Sequence, residues 1–144
     1  MDAPGQDPAY IFAVAAMNGP SSRPAALRVL VADDDAGIRE LLRDVLLAEG
    51  YEVDEAANGA EALARARSNP PAAVLMDLMM PVLSGAEATI ALKGDPRTAA
   101  IPVVAMSAGR HLQTLLHGVP VDGYVSKPFD LRALVSVLAH HARA

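Results

Sequence analysis

Cysteine and tryptophan are both absent, and aromatic residues make up only 3% of the 144-residue chain. Without thiols there is no disulfide, no thiolate nucleophile and no cysteine-ligated zinc, so any metal must sit on oxygen or histidine. The same absence suits a reducing compartment, and the chain is expected to be cytoplasmic. Lysine is nearly missing as well. Lys93 and Lys127 are the only two, and twelve basic residues against seventeen acidic ones leave a formal net charge of −5. No basic stripe is available to neutralise a phosphate backbone, so direct contact with nucleic acid is not expected. Long apolar runs are missing too. The longest uninterrupted one, Ala9–Met17, is less than half of the roughly 20 residues that a membrane span requires. Met1–Pro8 in front of it holds two aspartates and no Lys or Arg, the reverse of the positive leader of an export signal.

What remains is length and patterning. A chain of this size forms about one domain, and 52% hydrophobic residues supply a core able to bury roughly 70% of the unfolded surface. Residues 1–26 are rich in Pro, Gly, Ser and Ala and are expected to be a flexible extension, which places the working domain at 27–144. Leu27–Ala32 is a short apolar run that stops at Asp33-Asp34-Asp35, as a strand buried on both faces does. Ile38, Leu41, Leu42, Val45 and Leu46 follow the helical period, with Asp35 placed to cap that helix and Gly50 to stop it.

The unit then repeats. Tyr51–Ala56 reads as a strand, and Asn58 with Glu61 has the spacing of a capping box for a helix that Asn69-Pro70-Pro71 ends. Ala73–Met76 is a buried strand followed by Asp77, and Ser84 with Glu87 opens a helix ending near Gly94. Ile101–Met106 is strand four, His111–His117 a short helix stopped by Gly118, and Gly123–Val125 strand five. Asp130 caps a last helix that has Leu131, Leu134, Val135 and Leu138 on one face. Five βα units predict an α/β fold, a doubly wound five-stranded parallel sheet with five helices.

In such a sheet, ligands bind at the carboxyl ends of the strands. Asp33 and Asp34 end strand one, Asp77 ends strand three, Ser107 ends strand four and Lys127 follows strand five. One cap suffices for a helix, so the two aspartates ahead of Asp35 need another role. Three carboxylates in one crevice repel one another unless a cation compensates, and hard oxygen donors point to Mg²⁺ or a similar ion. Such an ion keeps room for a phosphate oxygen, which makes the crevice a receptor for a phosphoryl group. Lys127 is placed to balance one of its oxygens and Ser107 to donate to another.

Four segments, Val-Leu-Val-Ala-Asp-Asp-Asp, Val-Leu-Met-Asp-Leu-Met-Met-Pro-Val-Leu-Ser-Gly, Val-Val-Ala-Met-Ser-Ala and Gly-Tyr-Val-Ser-Lys-Pro-Phe, resemble the response-regulator receiver family of two-component signalling. The resemblance covers about residues 27–144. It implies a flavodoxin-like sheet of strand order 2-1-3-4-5. It also implies that Asp77 is the phosphoacceptor, Asp34 a direct Mg²⁺ ligand, Asp33 a ligand through water, and Met79 the residue whose backbone carbonyl completes coordination. Ser107, Lys127 and Tyr124 match the switch hydroxyl, the phosphoryl-binding lysine and the switch aromatic, and the Lys127–Pro128 bond is expected to be cis. The implied partners are a sensor histidine kinase or phosphotransfer protein, a downstream protein target, and a second copy of the chain on phosphorylation.

The segment between Ser107 and Lys127 departs from the pattern in being short and carrying Gly109, Gly118 and Pro120. The last helix ends with the chain, so a stand-alone receiver is expected. It would be a signalling domain that assists its own phosphorylation and dephosphorylation and not an enzyme acting on other substrates. Two rival readings stay open: a small Mg²⁺-dependent phosphohydrolase with Asp77 as nucleophile, and a receiver-like adaptor that is never phosphorylated. The hydrolase reading lacks its usual Asp-x-Asp, because Met79 stands where the second carboxylate would be.

Overall fold

The computed structural model describes residues 26–108 and 116–142. All but Ala26 of the extension expected at 1–26, and most of the helix expected at 111–117, therefore lie outside the described residues. Five strands, β1 (Arg28–Ala32), β2 (Glu52–Ala56), β3 (Ala73–Asp77), β4 (Val103–Ala108) and β5 (Gly123–Lys127), form one sheet in the order β2-β1-β3-β4-β5. Every pairing is parallel, as crossover connections through helices require. Among the described residues there are four helices and not five: α1 (Ala36–Ala48), α2 (Gly59–Ser68), α3 (Gly85–Lys93) and α4 (Leu131–His141). None of them is long and apolar enough to cross a membrane.

Alternation along the strands divides the core between the two faces. Val29, Val31, Leu75, Val104 and Met106 pack with Leu42 and Leu46 of α1 and with Leu134 and Leu138 of α4. Leu30, Ala32, Val74, Met76 and Val103 pack on the other face with the alanines of α2 and with Ala88 and Leu92 of α3. Full burial of each large side chain contributes roughly 1.5–3 kcal/mol. The helical stripe of α1 is narrower than its periodicity suggests, since Leu41 is 45% exposed. Helix starts follow the capping chemistry: Asp35 accepts N–H donors from Gly37 and Ile38, and Ser84 with Glu87 forms a complete capping box. Asn58 accepts from Glu61 N–H, but the Glu61 carboxylate pairs forward with Arg65 at 3.4 Å, so only half of that box forms. Gly50 turns left-handed at φ +93° just past α1.

Three strand limits differ from the sequence reading by two residues. β4 begins at Val103, because Pro102 has no N–H to donate and only its carbonyl enters the sheet, accepting from Val74. β4 and β5 both run two residues past their expected ends, since Ser107 pairs with Ser126 and Ala108 with Lys127. Ser107 and Lys127 thus sit on paired strands rather than on loops. The bottom of this pair is tied by Asp122, whose N–H donates to Val103 O while its carboxylate accepts from Val103 N–H and from Lys93 Nζ, all at 2.8 Å.

Burial opposes the charge on Asp122, yet the Lys93 and Val103 hydrogen bonds outweigh it and hold the carboxyl below its ordinary 3.8. Its stabilising contribution is therefore present above that ordinary value and lost as pH falls through the lowered one. Asp122→Ala is expected to cost about 1–3 kcal/mol at pH 7, by leaving the buried Val103 N–H without a partner. Urea unfolding checks this, and the difference from wild type should shrink in strong acid.

Candidate functional site

The carboxyl ends of β1, β3 and β5 meet at one point. Oxygen atoms of Asp33, Asp34 and Asp77 all lie within 4.8 Å of one another. Asp33 is fully buried, Asp77 is 6% exposed and Asp34 faces solvent. Lys127 Nζ bridges two of them, donating to Asp33 Oδ2 at 2.6 Å and to Asp77 Oδ2 at 3.2 Å across 94 and 50 positions of sequence. Its ammonium also lies 5.9 Å from the centre of the Phe129 ring, within cation–π range. The Lys127–Pro128 peptide is cis, as the resemblance implied. Asp77, Met79, Ser107, Ala108 and Lys127 line a cavity of about 210 Å³. Tyr124 lies outside that cavity and is 51% exposed on the edge strand β5.

Each carboxylate has a distinct environment. Asp33 Oδ1 accepts the Asp35 N–H at 2.9 Å while Oδ2 takes Lys127, so both of its oxygens already have protein donors. Asp34, which faces solvent, is the freest inner ligand, and Asp77 meets its own two donors only at the longer 3.1 and 3.2 Å, so the more tightly held Asp33 suits an outer position. Asp77 Oδ1 accepts the Met79 N–H at 3.1 Å. Burial, reinforced by the Asp33 charge, nevertheless pushes the Asp77 carboxyl above its ordinary 3.8 despite Met79 and Lys127. For Lys127, burial works against the charge, but the Asp33 hydrogen bond and the two carboxylate charges prevail and raise it above 10.5. The donor set is all hard oxygen, and one ammonium against three carboxylates leaves negative charge for a divalent ion to neutralise. The residues fit Mg²⁺.

Mutual repulsion at Asp34 is weaker than the run of aspartates suggests, because its side chain faces water and water screens it. Asp34→Ala is expected to weaken Mg²⁺ binding at least tenfold, while metal-free stability stays within about 0.5 kcal/mol of wild type. Calorimetric Mg²⁺ titration and urea unfolding in chelator check the two halves separately.

Three residues to which the sequence reading gives no role at the site also shape it. Arg39 donates to the Asp33 backbone carbonyl at 2.6 Å and pairs with Glu55 at 3.4 Å, pinning the end of β1 to the end of β2. Gly85 opens α3 so tightly against β3 that a Cβ there would overlap the Asp77 carbonyl. Gly59 approaches the same loop from α2. Arg39 carries no sequence signal that separates it from a solvated helix arginine. The two glycines do carry one, since each stands in the first turn of a helix directly after its cap.

Fold and site together define a class: doubly wound α/β domains with an acidic, lysine-bridged ligand crevice at the carboxyl edge of a 2-1-3-4-5 sheet. The chain belongs to the response regulator receiver domain family, which matches residues 29–139. Receiver domains serve two-component phosphorelay signalling, take a phosphoryl group on aspartate and bind Mg²⁺ in an acidic pocket. Among curated relatives, the phosphate regulon transcriptional regulatory protein PhoB of Pseudomonas aeruginosa is 38% identical over 112 residues, covering 76% of this chain and 49% of that protein. The DNA-binding dual master transcriptional regulator RpaA of Synechocystis is 34% identical over 111 residues, covering 76% and 46%. The chain thus spans about half the length of these relatives. Among solved structures, chemotaxis protein CheY4 of Vibrio cholerae superposes with a TM-score of 0.74 at 29% identity, covering 81% of this chain and 99% of that one. A sensor-kinase receiver domain from Pseudomonas aeruginosa, with a magnesium ion coordinated in its active-site cleft, superposes with a TM-score of 0.76 at 25% identity, covering 81% and 98%.

Proposed function

We propose that residues 27–144 are a cytoplasmic receiver unit, preceded by an extension at 1–26, that accepts a phosphoryl group on Asp77 from the phosphohistidine of a sensor kinase or phosphotransfer protein. The observation that carries this is the Lys127 bridge, which gathers Asp33 and Asp77 from distant positions around a crevice with room for a phosphoryl group. In the transfer, an Asp77 carboxylate oxygen attacks phosphorus, the P–N bond breaks, and the imidazole nitrogen leaves with the bonding pair and is protonated. The product is an acyl phosphate. Asp34, Asp77 and the Met79 carbonyl would hold Mg²⁺, with Asp33 behind a water. The ion, when bound, offsets charge on the phosphoryl oxygens. Lys127 neutralises one of those oxygens and Ser107 donates to another. The same assembly serves hydrolysis, in which water attacks phosphorus, the P–O bond to Asp77 breaks and the carboxylate leaves as inorganic phosphate is released, so the domain assists its own dephosphorylation.

Beryllofluoride, a phosphoryl mimic, tests the site. With Mg²⁺ present it is expected to raise the melting temperature by on the order of 10 °C at a hundredfold excess over its Kd. No shift would remove the phosphoryl-site reading.

The outgoing signal in this reading is a change of surface. Ser107, buried at 3% exposure, moves toward the phosphoryl group, and Tyr124 leaves its half-exposed position for the space vacated. Ser107→Ala is expected to bind beryllofluoride but to lose most of the accompanying drop in Tyr124 solvent accessibility. Equal drops in both proteins would rule out this hydroxyl as the relay.

A further inference from the structure

The first residue of α2 touches the loop that follows Asp77. Gly59 N–H donates to the Leu83 carbonyl at 2.8 Å, although no proposed ligand lies on α2. A Cβ at Gly59 would overlap the Leu83 oxygen and lie 2.7 Å from the Ser84 oxygen and 2.8 Å from the Leu83 carbonyl carbon. All of these neighbours are backbone, so no side chain can turn aside to make room. Alanine is the better residue inside a helix by about 1 kcal/mol, which makes space the physical reason for glycine here.

The loop has little freedom to absorb such a push. Leu83 N–H donates to Pro81 O at 2.8 Å, and Gly85 N–H donates back to Leu78 O at 3.1 Å. Val82 is already strained at φ +69°. On the far side Gly85 is closed against Asp77, where a Cβ would overlap the carbonyl. A displacement at Leu83 therefore passes along the loop toward Leu78 and Met79. Met79 N–H is the donor that orients Asp77 Oδ1 at 3.1 Å.

We propose that Gly59 is a positioning residue for the Mg²⁺ site: its missing side chain and its N–H set the loop 78–84, and through Met79 the Asp77 carboxylate. This rests on the receiver reading of the site. By reciprocity, whatever Gly59 does for Mg²⁺ affinity, Mg²⁺ must do for the Gly59–Leu83 contact.

Two measurements on the 144-residue protein decide it. Gly59→Ala should weaken calorimetric Mg²⁺ affinity at least about fivefold while still unfolding cooperatively. In the wild type, saturating Mg²⁺ should slow hydrogen exchange at the Gly59 amide by a comparable factor beyond the slowing it brings to the amides of α4, an excess that a purely structural glycine would not show. If the variant does not fold, the exchange measurement decides alone. Mg²⁺ binding by the variant within twofold of wild type, or slowing at Gly59 no greater than at the amides of α4, would overturn the inference and leave the receiver reading standing. Absence of Mg²⁺ binding by the wild type would overturn both.

Discussion

Asp77→Asn is expected to abolish labile phosphorylation completely while leaving the fold intact and, without metal, at least as stable as wild type. An amide oxygen cannot act as the anionic nucleophile, so the acyl phosphate has no site to form. The amide carbonyl can still accept the Met79 N–H now taken by Asp77 Oδ1. Stability follows from the environment of the carboxyl. Burial, added to the Asp33 charge, raises it above its ordinary 3.8. A raised folded value means that the native state holds this proton more tightly than the unfolded chain. The wild type therefore loses stability as pH climbs from the ordinary value through the raised one, and the variant lacks that loss. Urea unfolding in chelator between pH 3 and 7 reads the difference. Undiminished labelling of the variant would remove Asp77 from its role, and a variant destabilised by more than about 2 kcal/mol at pH 7 would contradict the burial argument.

Lys127→Ala is expected to produce the largest loss of stability among the site substitutions. Its ammonium is the close cation for Asp33, whose side chain is 0% exposed, and for Asp77, at 8%. Breaking a buried pair costs about 3–5 kcal/mol by stranding the other charge. Here two anions are stranded, but the lysine side chain is 20% exposed and water reaches the crevice, so about 2–4 kcal/mol is expected. Lys127 is held above 10.5, because the Asp33 hydrogen bond and the two carboxylate charges overcome the opposing effect of burial. Its contribution is therefore whole at pH 7 and lost only as pH rises through the raised value. Mg²⁺ should restore much of the loss in the variant, making its stability depend on Mg²⁺ more steeply than that of wild type. Phosphorylation should slow by about 10²–10³, since no other cation among the described residues sits at the phosphoryl oxygens. A loss under about 1 kcal/mol in chelator would mean that the bridge is a weak surface pair.

The crevice was legible where local pattern and chemistry coincide. An apolar run ending in three aspartates marks both a strand end and its ligands, and Asp35 separates as the cap because only one residue is needed there. Asp77 was equally plain after Ala-Val-Leu-Met. Less legible were features decided across strands. The pairing of Ala108 with Lys127 extends β4 and β5 beyond the point where their apolar runs stop. The doubled use of Asp33, with one oxygen on Asp35 N–H and the other on Lys127, is equally invisible to spacing. Periodicity shows that a helix opens at Gly59 and another at Gly85, but not that both first turns press on the backbone around one loop. Such contacts depend on how α2 and α3 lie against the same face of the sheet, which only packing determines.

Intact-mass analysis after incubation with acetyl phosphate asks whether this chain takes a phosphoryl group on Asp77 with Mg²⁺. The expected result is a single added phosphoryl group that needs Mg²⁺, is lost on brief alkaline treatment, and maps to the peptide containing Asp77. A protein that stays unmodified under those conditions, or one that turns over phosphate monoesters without retaining a group, would contradict it.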